Sequence, residues 1–135
     1  MSETDLIDLV HPTLDTQWWW DALSRGELQV PACKSCRSRF FPPQAFCPEC
    51  GSADVYGAPT SGCGNVYSWV VIHRAFSPAL ADQVPYAIVA TDMEEGGRLI
   101  GRYLGDLHAL RDALLVRVRI AQRSGIPVLG FEPAG

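Results

Sequence analysis

Residues 33–50 read CKSCRSRFFPPQAFCPEC, in which two C-x-x-C pairs are separated by ten residues. One such turn brings two thiolates to one side of a metal ion, and a second turn supplies the other two ligands of a tetrahedral site. Short extended segments surround the pairs: LQVPA at 28–32, RFFPP at 39–43 and DVYGAP at 54–59. This layout predicts a zinc ribbon whose ligands are Cys33, Cys36, Cys47 and Cys50.

The two cysteine turns, which we call knuckles, differ in the residue that follows them. In the second, C-P-E-C-G, Pro48 presets the backbone of the turn and Gly51 permits a tight exit. The first, C-K-S-C-R, has no glycine, so Arg37 must make its exit in a less favourable conformation. We also expect Lys34, Arg37 and Arg39 to offset part of the negative charge of four thiolates.

Four thiolate ligands leave a zinc ion no open position for water or substrate. The sequence therefore predicts one structural zinc per chain and no metal-based catalysis. Knuckles of the C-P-x-C-G type also hold iron, which would make the chain a rubredoxin-like electron carrier. The metal itself distinguishes the two hypotheses, because iron would colour the protein red.

The composition is that of a globular protein. The chain has 135 residues, of which 47% are apolar and 19% charged, a size that suits one domain or two small fused modules. No apolar run approaches the roughly 18 residues of a membrane helix, and the acidic start MSETDLIDLVHP is unlike a signal peptide. We expect a cytoplasmic protein without disulfides and without a membrane partner.

The formal charge of −4 comes from the first fifteen residues, where four acidic residues stand without a Lys or Arg. The remaining chain balances eleven acids against eleven bases. Nucleic-acid binders normally carry a basic stripe, since phosphate contacts dominate their affinity. The absence of a basic block argues against nucleic acid as a partner.

A helix is predicted after an N-terminal arm without clear periodicity. Asp15 or Thr16 can cap a helix that runs through WWWDAL at 18–23, and Gly26 suits its end. Successive helical side chains point about 100° apart, so one fold cannot easily bury three adjacent tryptophans. They either pack across the ribbon and the next domain or contact a partner. The candidate interface residues are Trp18, Trp19 and Trp20.

The second half of the chain predicts a barrel. Three strands follow the glycine-flanked Cys63, then one short helix and two more strands, an order typical of an OB-fold. The predicted strands are 65–74, 85–93, 98–104, 114–121 and 127–133, with the helix at 105–113. In the fourth strand Arg117 and Arg119 should face outward and Val116, Val118 and Ile120 inward.

The predicted fold is therefore mostly β. An N-terminal arm and helix occupy 1–27, a rubredoxin-like zinc ribbon 28–58, and a five-stranded OB-fold barrel 59–135. No catalytic triad, phosphate loop or dinucleotide motif is present, and the isolated His73 is not a convincing general base. We predict no catalytic residues.

Several motifs resemble one known family. They are WWDALSRGEL at 19–28, the two knuckles, GCGNVYSWVVIHRAFSPALADQVPYAIV at 62–89, RLIGR at 98–102 and FEPA at 131–134. In this order and spacing they resemble the zinc-ribbon plus OB-fold family known as domain of unknown function thirty-five. Its members look like acyl-CoA-associated accessory proteins that assemble with thiolase-like or hydratase-like enzymes, which make or cleave carbon–carbon bonds beside a thioester.

The resemblance implies a non-catalytic subunit that docks on a thiolase-like partner, as a hetero-oligomer, through its Trp-rich helix and ribbon. The barrel would help to hold an acyl-CoA, and steroid side-chain or other aldol chemistry is one such setting. Arg74, Phe76, Pro85 and Tyr86 are candidate ligand contacts, because the loop and strand start that carry them flank one barrel mouth. Where relatives often have a basic residue between two glycines, this chain has Cys63.

Two other functions stay open at this point. An OB-fold can bind single-stranded nucleic acid through an aromatic face, although the charge of this chain does not favour it. A rubredoxin-like electron carrier would require iron at the four cysteines.

Overall fold

The computed structural model describes residues 12–123 and 126–134, so the first eleven residues of the predicted arm lie outside the described part. Its elements follow the predicted order of helix, ribbon and barrel. They are α1 (Gln17–Ser24), β1 (Gln29–Cys33), β2 (Val55–Pro59), β3 (Cys63–Ile72), β4 (Tyr86–Met93), β5 (Arg98–Tyr103), β6 (Leu115–Arg123) and β7 (Ile126–Pro133). Short 3-10 helices occur at Pro78–Leu80 and Leu107–Ala109.

The α1 helix buries one face and ends where the sequence predicts. Trp19, Ala22 and Leu23 are buried, at the i, i+3, i+4 spacing of a single helix face. Gly26 has a φ of +76°, the left-handed conformation that glycine adopts at helix ends. The helix therefore attaches to the molecule through this apolar stripe.

The three tryptophans differ in burial, as their 100° separation requires. The side chain of Trp19 is only 5% exposed, whereas Trp18 and Trp20 are half-buried. Trp20 meets Trp19 edge to face with ring centroids 5.1 Å apart, and the Trp18 ring lies so close to Gly57 of β2 that a methyl group there would collide with it. The rings thus join the helix to the ribbon and the core.

Strands β3 to β7 form a closed barrel in the order β3-β4-β5-β7-β6. All neighbours are antiparallel except β5 and β7, which pair in parallel at Arg102↔Gly130 and Tyr103↔Phe131. This is the five-stranded barrel that the sequence predicts. On β6 the predicted alternation is confirmed: Val116 is buried, Val118 and Ile120 are partly buried against the core, and Arg117 and Arg119 are exposed.

Helix, ribbon and barrel share one apolar core. Trp19 and Leu23 of α1 and Val30 of β1 belong to the same buried cluster as barrel residues such as Val89 and Phe131. A smaller cluster of Cys33, Phe40 and Cys47 lies inside the ribbon. The boundaries predicted after residues 27 and 58 therefore separate segments that pack against one another in a shared core.

One predicted element is wrong in extent. The connection between β5 and β6 holds only a 3-10 turn, Leu107–Ala109, in place of a helix over 105–113. The Asp106 side chain accepts a hydrogen bond from the His108 N–H at 2.9 Å and starts the turn. Leu110 is already extended and Ala113 has a φ of +62°, so the backbone cannot continue as a helix.

The link between β2 and β3 is fixed to the β4–β5 hairpin by Glu95. Its carboxylate accepts hydrogen bonds from the Thr60 hydroxyl at 2.9 Å and from the Ser61 backbone N–H at 2.5 Å. The Ser61 N–H and then the Thr60 hydroxyl lower the pKa of Glu95 from its ordinary value of 4.5, because both donate to the charged form. Glu95 thus connects the end of the ribbon to the barrel.

This connection predicts a pH-dependent contribution to stability. A carboxyl group with a lowered pKa in the folded state stabilises it fully above the ordinary value of 4.5, and the contribution is lost as the pH falls through the lowered value. Glu95→Gln should lower the Tm at pH 7, and the difference from the parent should shrink as the pH falls below 4.5 and through the lowered pKa of Glu95. Thermal unfolding followed by circular dichroism at several pH values measures this.

Asp112→Asn, which alters an exposed carboxylate in the β5–β6 connection, is the matched control and should leave the Tm unchanged at pH 7. A Tm difference for Glu95→Gln that stays constant from pH 7 to pH 3 would show that the charge of Glu95 does not stabilise the fold.

Candidate zinc centre and barrel mouth

The four cysteine sulfurs form a cluster with the dimensions of a zinc site. Their Sγ atoms all lie within 4.8 Å of one another, and the Cys33–Cys50 and Cys36–Cys47 pairs are both 3.6 Å apart. Four sulfurs at about 2.3 Å from a tetrahedral zinc ion would be separated by roughly 3.8 Å. The sequence prediction of these four residues as a ligand set agrees with this geometry.

Both knuckles reach the site through the same backbone turn. The N–H of Arg37 donates to the Cys33 carbonyl and the N–H of Gly51 to the Cys47 carbonyl, each at 2.9 Å. Arg37 has a φ of +64° and Gly51 one of +77°, so arginine adopts in the first knuckle the left-handed conformation that glycine supplies in the second. The less favourable exit expected at Arg37 is confirmed.

The pKa values of the clustered thiols are shifted in opposite directions. Hydrogen bonds of Cys36 with the Ser38 side chain and then with the Ser38 backbone lower the pKa of Cys36 to about 6. Although the Ser52 N–H lowers the pKa of Cys50, the adjacent Cys33 thiol, burial and the other sulfurs outweigh it and raise that pKa to about 12. Four thiolates so close together require a cation between them, and the chemistry of this donor set fits zinc.

The basic side chains near the knuckles have other contacts. The Lys34 ammonium lies 5.5 Å from the centre of the Tyr56 ring, and the Arg39 guanidinium donates to the Pro59 carbonyl at 3.0 Å. Both contacts reach the β2 strand. Lys34 and Arg39 therefore link the knuckles to the ribbon sheet, a role that was not expected from the sequence.

The predicted ligand residues lie at one end of the barrel. Arg74 and Phe76 belong to the loop between β3 and β4, and the Arg74 guanidinium lies 5.9 Å from the Phe76 ring centre. Phe76 is 78% exposed. Tyr86 begins β4 directly after the exposed Pro85 and pairs with Ile72, the last residue of β3. The loop therefore starts and finishes at the same barrel mouth.

Sequence reasoning missed one residue at this mouth. Arg102 of β5 lies with its guanidinium 4.3 Å from the Tyr86 ring centre and hydrogen-bonds the side chain of Gln83. The alternation in R-L-I-G-R places Arg98 and Arg102 on one face of β5, but it does not reveal which aromatic ring lies opposite. That information depends on the pairing of β5 with β4.

Among the described residues, no helix has the length and apolar character needed to cross a membrane.

Metal removal tests the zinc centre. Structural zinc contributes on the order of 10 kcal/mol to folding in small zinc domains, comparable to the whole stability of a domain. Cys47→Ser and Cys50→Ser should therefore abolish cooperative unfolding and zinc retention, whereas the parent should hold one zinc per chain. Metal analysis by plasma mass spectrometry and circular dichroism provide the two readouts.

Cys63→Ser is the control, since Cys63 is exposed and lies outside the four-sulfur cluster. It should keep both zinc and fold. Well-folded parent protein that contains neither zinc nor iron would refute the metal centre.

Two family models match the chain in sequence. The model described as "ChsH2, rubredoxin-like zinc ribbon domain" matches residues 20–55, and that described as "ChsH2, C-terminal OB-fold domain" matches residues 58–120. The first therefore covers the four-cysteine cluster and the second most of the barrel. Ribbon and barrel occur in the same order as in the two models.

Two curated relatives are similar to part of this chain. A probable enoyl-CoA hydratase alpha subunit of Thermomonospora curvata is 33% identical over 91 residues, which are 67% of this chain and 28% of that protein. A DUF35 domain-containing scaffold protein of Methanocaldococcus jannaschii is 35% identical over 71 residues, 52% of this chain and 50% of the relative. The chain thus spans half or less of the length of these relatives.

A solved structure is similar over nearly the whole chain. It is described as "Ltp2-ChsH2(DUF35) aldolase", and superposes with a TM-score of 0.83 at 26% sequence identity. The match covers 93% of this chain and 99% of the other. The similarity therefore includes the helix and the ribbon as well as the barrel.

Proposed function

Because the chain belongs to the zinc-ribbon plus OB-fold family of domain of unknown function thirty-five, we propose that it is a non-catalytic accessory subunit of an acyl-CoA enzyme. The observation that carries the proposal is the match to a DUF35 chain from an aldolase over nearly the full length of both chains. The scaffold protein and the hydratase alpha subunit among its relatives support an assembly role.

The chemistry of the chain supports a partner that supplies the catalytic groups. Four thiolates saturate the metal, which leaves it no position for a substrate. His73 and His108 are exposed, in connections between strands. We therefore assign the cleavage or formation of the carbon–carbon bond to a thiolase-like or hydratase-like enzyme, with which this chain forms a hetero-oligomer.

A reducing compartment suits this assembly. All five cysteines are free, and the four in the cluster must stay reduced to bind zinc. Cytosolic thiols are kept reduced by the cell, whereas oxidising compartments favour disulfides. We infer that the protein functions in the cytoplasm.

The tryptophans of α1 provide one proposed contact with the enzyme. Trp19 is buried in the core and is unavailable to a partner, but Trp18 and Trp20 keep part of their rings at the surface. Tryptophan is enriched among residues that dominate binding energy, since it buries a large rigid surface. Trp18 and Trp20 are therefore the tryptophans of α1 that the enzyme can reach.

The barrel mouth provides the proposed acyl-CoA contact. Coenzyme A combines phosphates with an adenine ring, and guanidinium groups bind phosphates while aromatic rings stack on bases. Arg74 and the exposed Phe76 offer both groups side by side, and Pro85 and Tyr86 form the opposite edge of the loop.

Complex formation tests the proposed function. The chain should co-purify with a thiolase-like or hydratase-like enzyme encoded beside it, and Trp20→Ala should cost the complex about 2 kcal/mol, the scale of a binding hot spot. Isothermal titration calorimetry measures the affinity. Trp19→Ala is the contrasting variant, and should destabilise the fold itself by about 3–5 kcal/mol because it empties a core position.

If Trp18→Ala and Trp20→Ala both bind like the parent, the tryptophan contact is wrong although the subunit role can stand. If the parent binds neither class of enzyme, the proposed function fails.

Acyl-CoA binding is tested separately on the purified complex. Arg74→Ala and Phe76→Ala should each lower the affinity for octanoyl-CoA by about tenfold, a loss of ~1.4 kcal/mol in binding free energy. Each substitution removes one group that contacts the nucleotide part of the ligand. Arg119→Ala removes an exposed arginine from the outer side of β6 and should leave the affinity unchanged. If Arg74→Ala and Phe76→Ala bind octanoyl-CoA as tightly as the parent and Arg119→Ala do, the loop is excluded as the ligand site.

A further inference from the structure

The outer surface of β3, β4 and β5 is unusually apolar for an exposed sheet. Antiparallel strands with one solvated face normally alternate apolar residues inward with polar residues outward. Here the outward positions form cross-strand rows in which aliphatic and aromatic residues predominate. We call them the β3–β5 face: Tyr67, Ser68, Val70 and Ile72 on β3, Tyr86, Ile88, Ala90 and Asp92 on β4, and Arg98, Ile100 and Arg102 on β5.

Register brings the aliphatic residues together at the centre of this face. Val70 pairs with Ile88, and Ile88 pairs with Arg102. In the next row Ser68 pairs with Ala90, and Ala90 with Ile100. Val70 is 59% exposed and Ile100 55% exposed, so this apolar centre faces solvent.

The other side of the same barrel follows the usual rule. On β6 and β7 the outward positions include Arg117, Arg119 and Glu132, and Glu132 forms ion pairs with Arg117 at 3.0 Å and with Arg119 at 3.5 Å. Barrel closure therefore does not demand an apolar exterior. The β3–β5 face differs from its own barrel, and contiguous exposed apolar patches of this kind mark interaction sites.

Two arginine–tyrosine stacks border the aliphatic centre. The Arg98 guanidinium lies 3.6 Å from the Tyr67 ring centre and pairs with Asp92 at 2.6 Å. The Arg102 guanidinium lies over Tyr86 at the other border. The two arginines are four positions apart along β5, which corresponds to about 13 Å. The face thus has an apolar middle with an arginine at each border, of which Arg98 is paired with Asp92 and Arg102 carries the net positive charge.

We propose that the acyl-CoA enzyme covers the β3–β5 face with an aliphatic surface that carries carboxylates opposite Arg98 and Arg102. This inference rests on the proposed function and adds a second docking surface to it. The face bears two arginines and one aspartate, so its net charge is positive and an acidic rim complements it. Helix α1 packs on β7, the neighbour of β5, but its tryptophans are not part of the face, so substitutions can be made at one surface while the residues of the other are kept.

Other occupants fit the face less well. Single-stranded nucleic acid needs open aromatic rings for its bases, whereas both tyrosine rings here are covered by guanidinium groups and the centre is aliphatic. A second copy of the chain would bring arginine-bearing borders against each other, and like charges disfavour that contact. An enzyme surface with carboxylates avoids both problems.

Charge substitution at the centre of the face tests the inference. Val70→Glu and Ile100→Glu should each weaken the complex with the enzyme at least thirtyfold in calorimetry, while zinc content and Tm stay close to those of the parent. Ile100→Lys should weaken it less than Ile100→Glu, since lysine suits an acidic rim. Leu115→Glu is the matched control, because Leu115 is 62% exposed on β6, outside the face, and should bind like the parent.

A footprinting measurement on the parent complex tests the inference even if the variants fail to fold. Hydroxyl-radical footprinting of the complex should protect Tyr67, Val70 and Ile100 but not Leu115. If the parent forms the complex while Val70→Glu and Ile100→Glu bind normally and the footprint is absent, this inference is wrong and the accessory role survives. If the parent forms no complex with either enzyme class, both fail.

Two further results would assign the face to another occupant. Micromolar binding of an oligothymidylate that Ile100→Glu abolishes would assign it to nucleic acid. A dimer of the chain in sedimentation analysis that Ile100→Glu dissociates would assign it to a second copy. Either result overturns the inference.

Discussion

Repulsion among four closely spaced thiolates is the constraint on which the rest of this structure depends. Thiolates whose sulfurs lie as close as 3.6 Å are stable only around a cation, and the donor set fits zinc. The metal joins two knuckles that are otherwise short turns, and it thereby fixes the end of β1 relative to the start of β2. Since zinc binding and ribbon folding are coupled, the ribbon needs few apolar residues of its own.

The ribbon in turn is part of the core of the molecule. Val30 of β1 and Trp19 of α1 belong to one buried cluster with the barrel, and Glu95 holds the β2–β3 link to the β4–β5 hairpin. A change at the metal is therefore expected to affect the positions of the helix and of the barrel. In the proposed accessory role, the metal ion would hold the surfaces that the chain presents to its partner in a fixed arrangement.

The surfaces that a partner can contact are formed by the outward-facing residues of the barrel strands. Inward residues of all five strands are committed to the core, but outward residues are not, and their character differs from one side to the other. The outer side of β6 and β7 carries the ion pairs of Glu132 with Arg117 and Arg119, and apolar side chains predominate on the outer side of β3, β4 and β5. The loop with Arg74 and Phe76 lies where β3 ends and β4 begins, beside the Tyr86 border of the apolar face. An acyl-CoA held at that loop would thus lie next to an enzyme bound on the face.

The sequence by itself determined the features that depend on neighbours along the chain. Cysteine spacing predicted the ligand set, and alternation predicted the strands, since both are local patterns. It failed at 105–113, where the Asp106 turn and the left-handed Ala113 override an apparently helical pattern. Only the tertiary structure placed Arg102 over Tyr86 and, through a bulge between Val66 and Ser68, Tyr67 beside Arg98. Strand register decides these contacts, and a shift of one residue would turn every side chain to the opposite face.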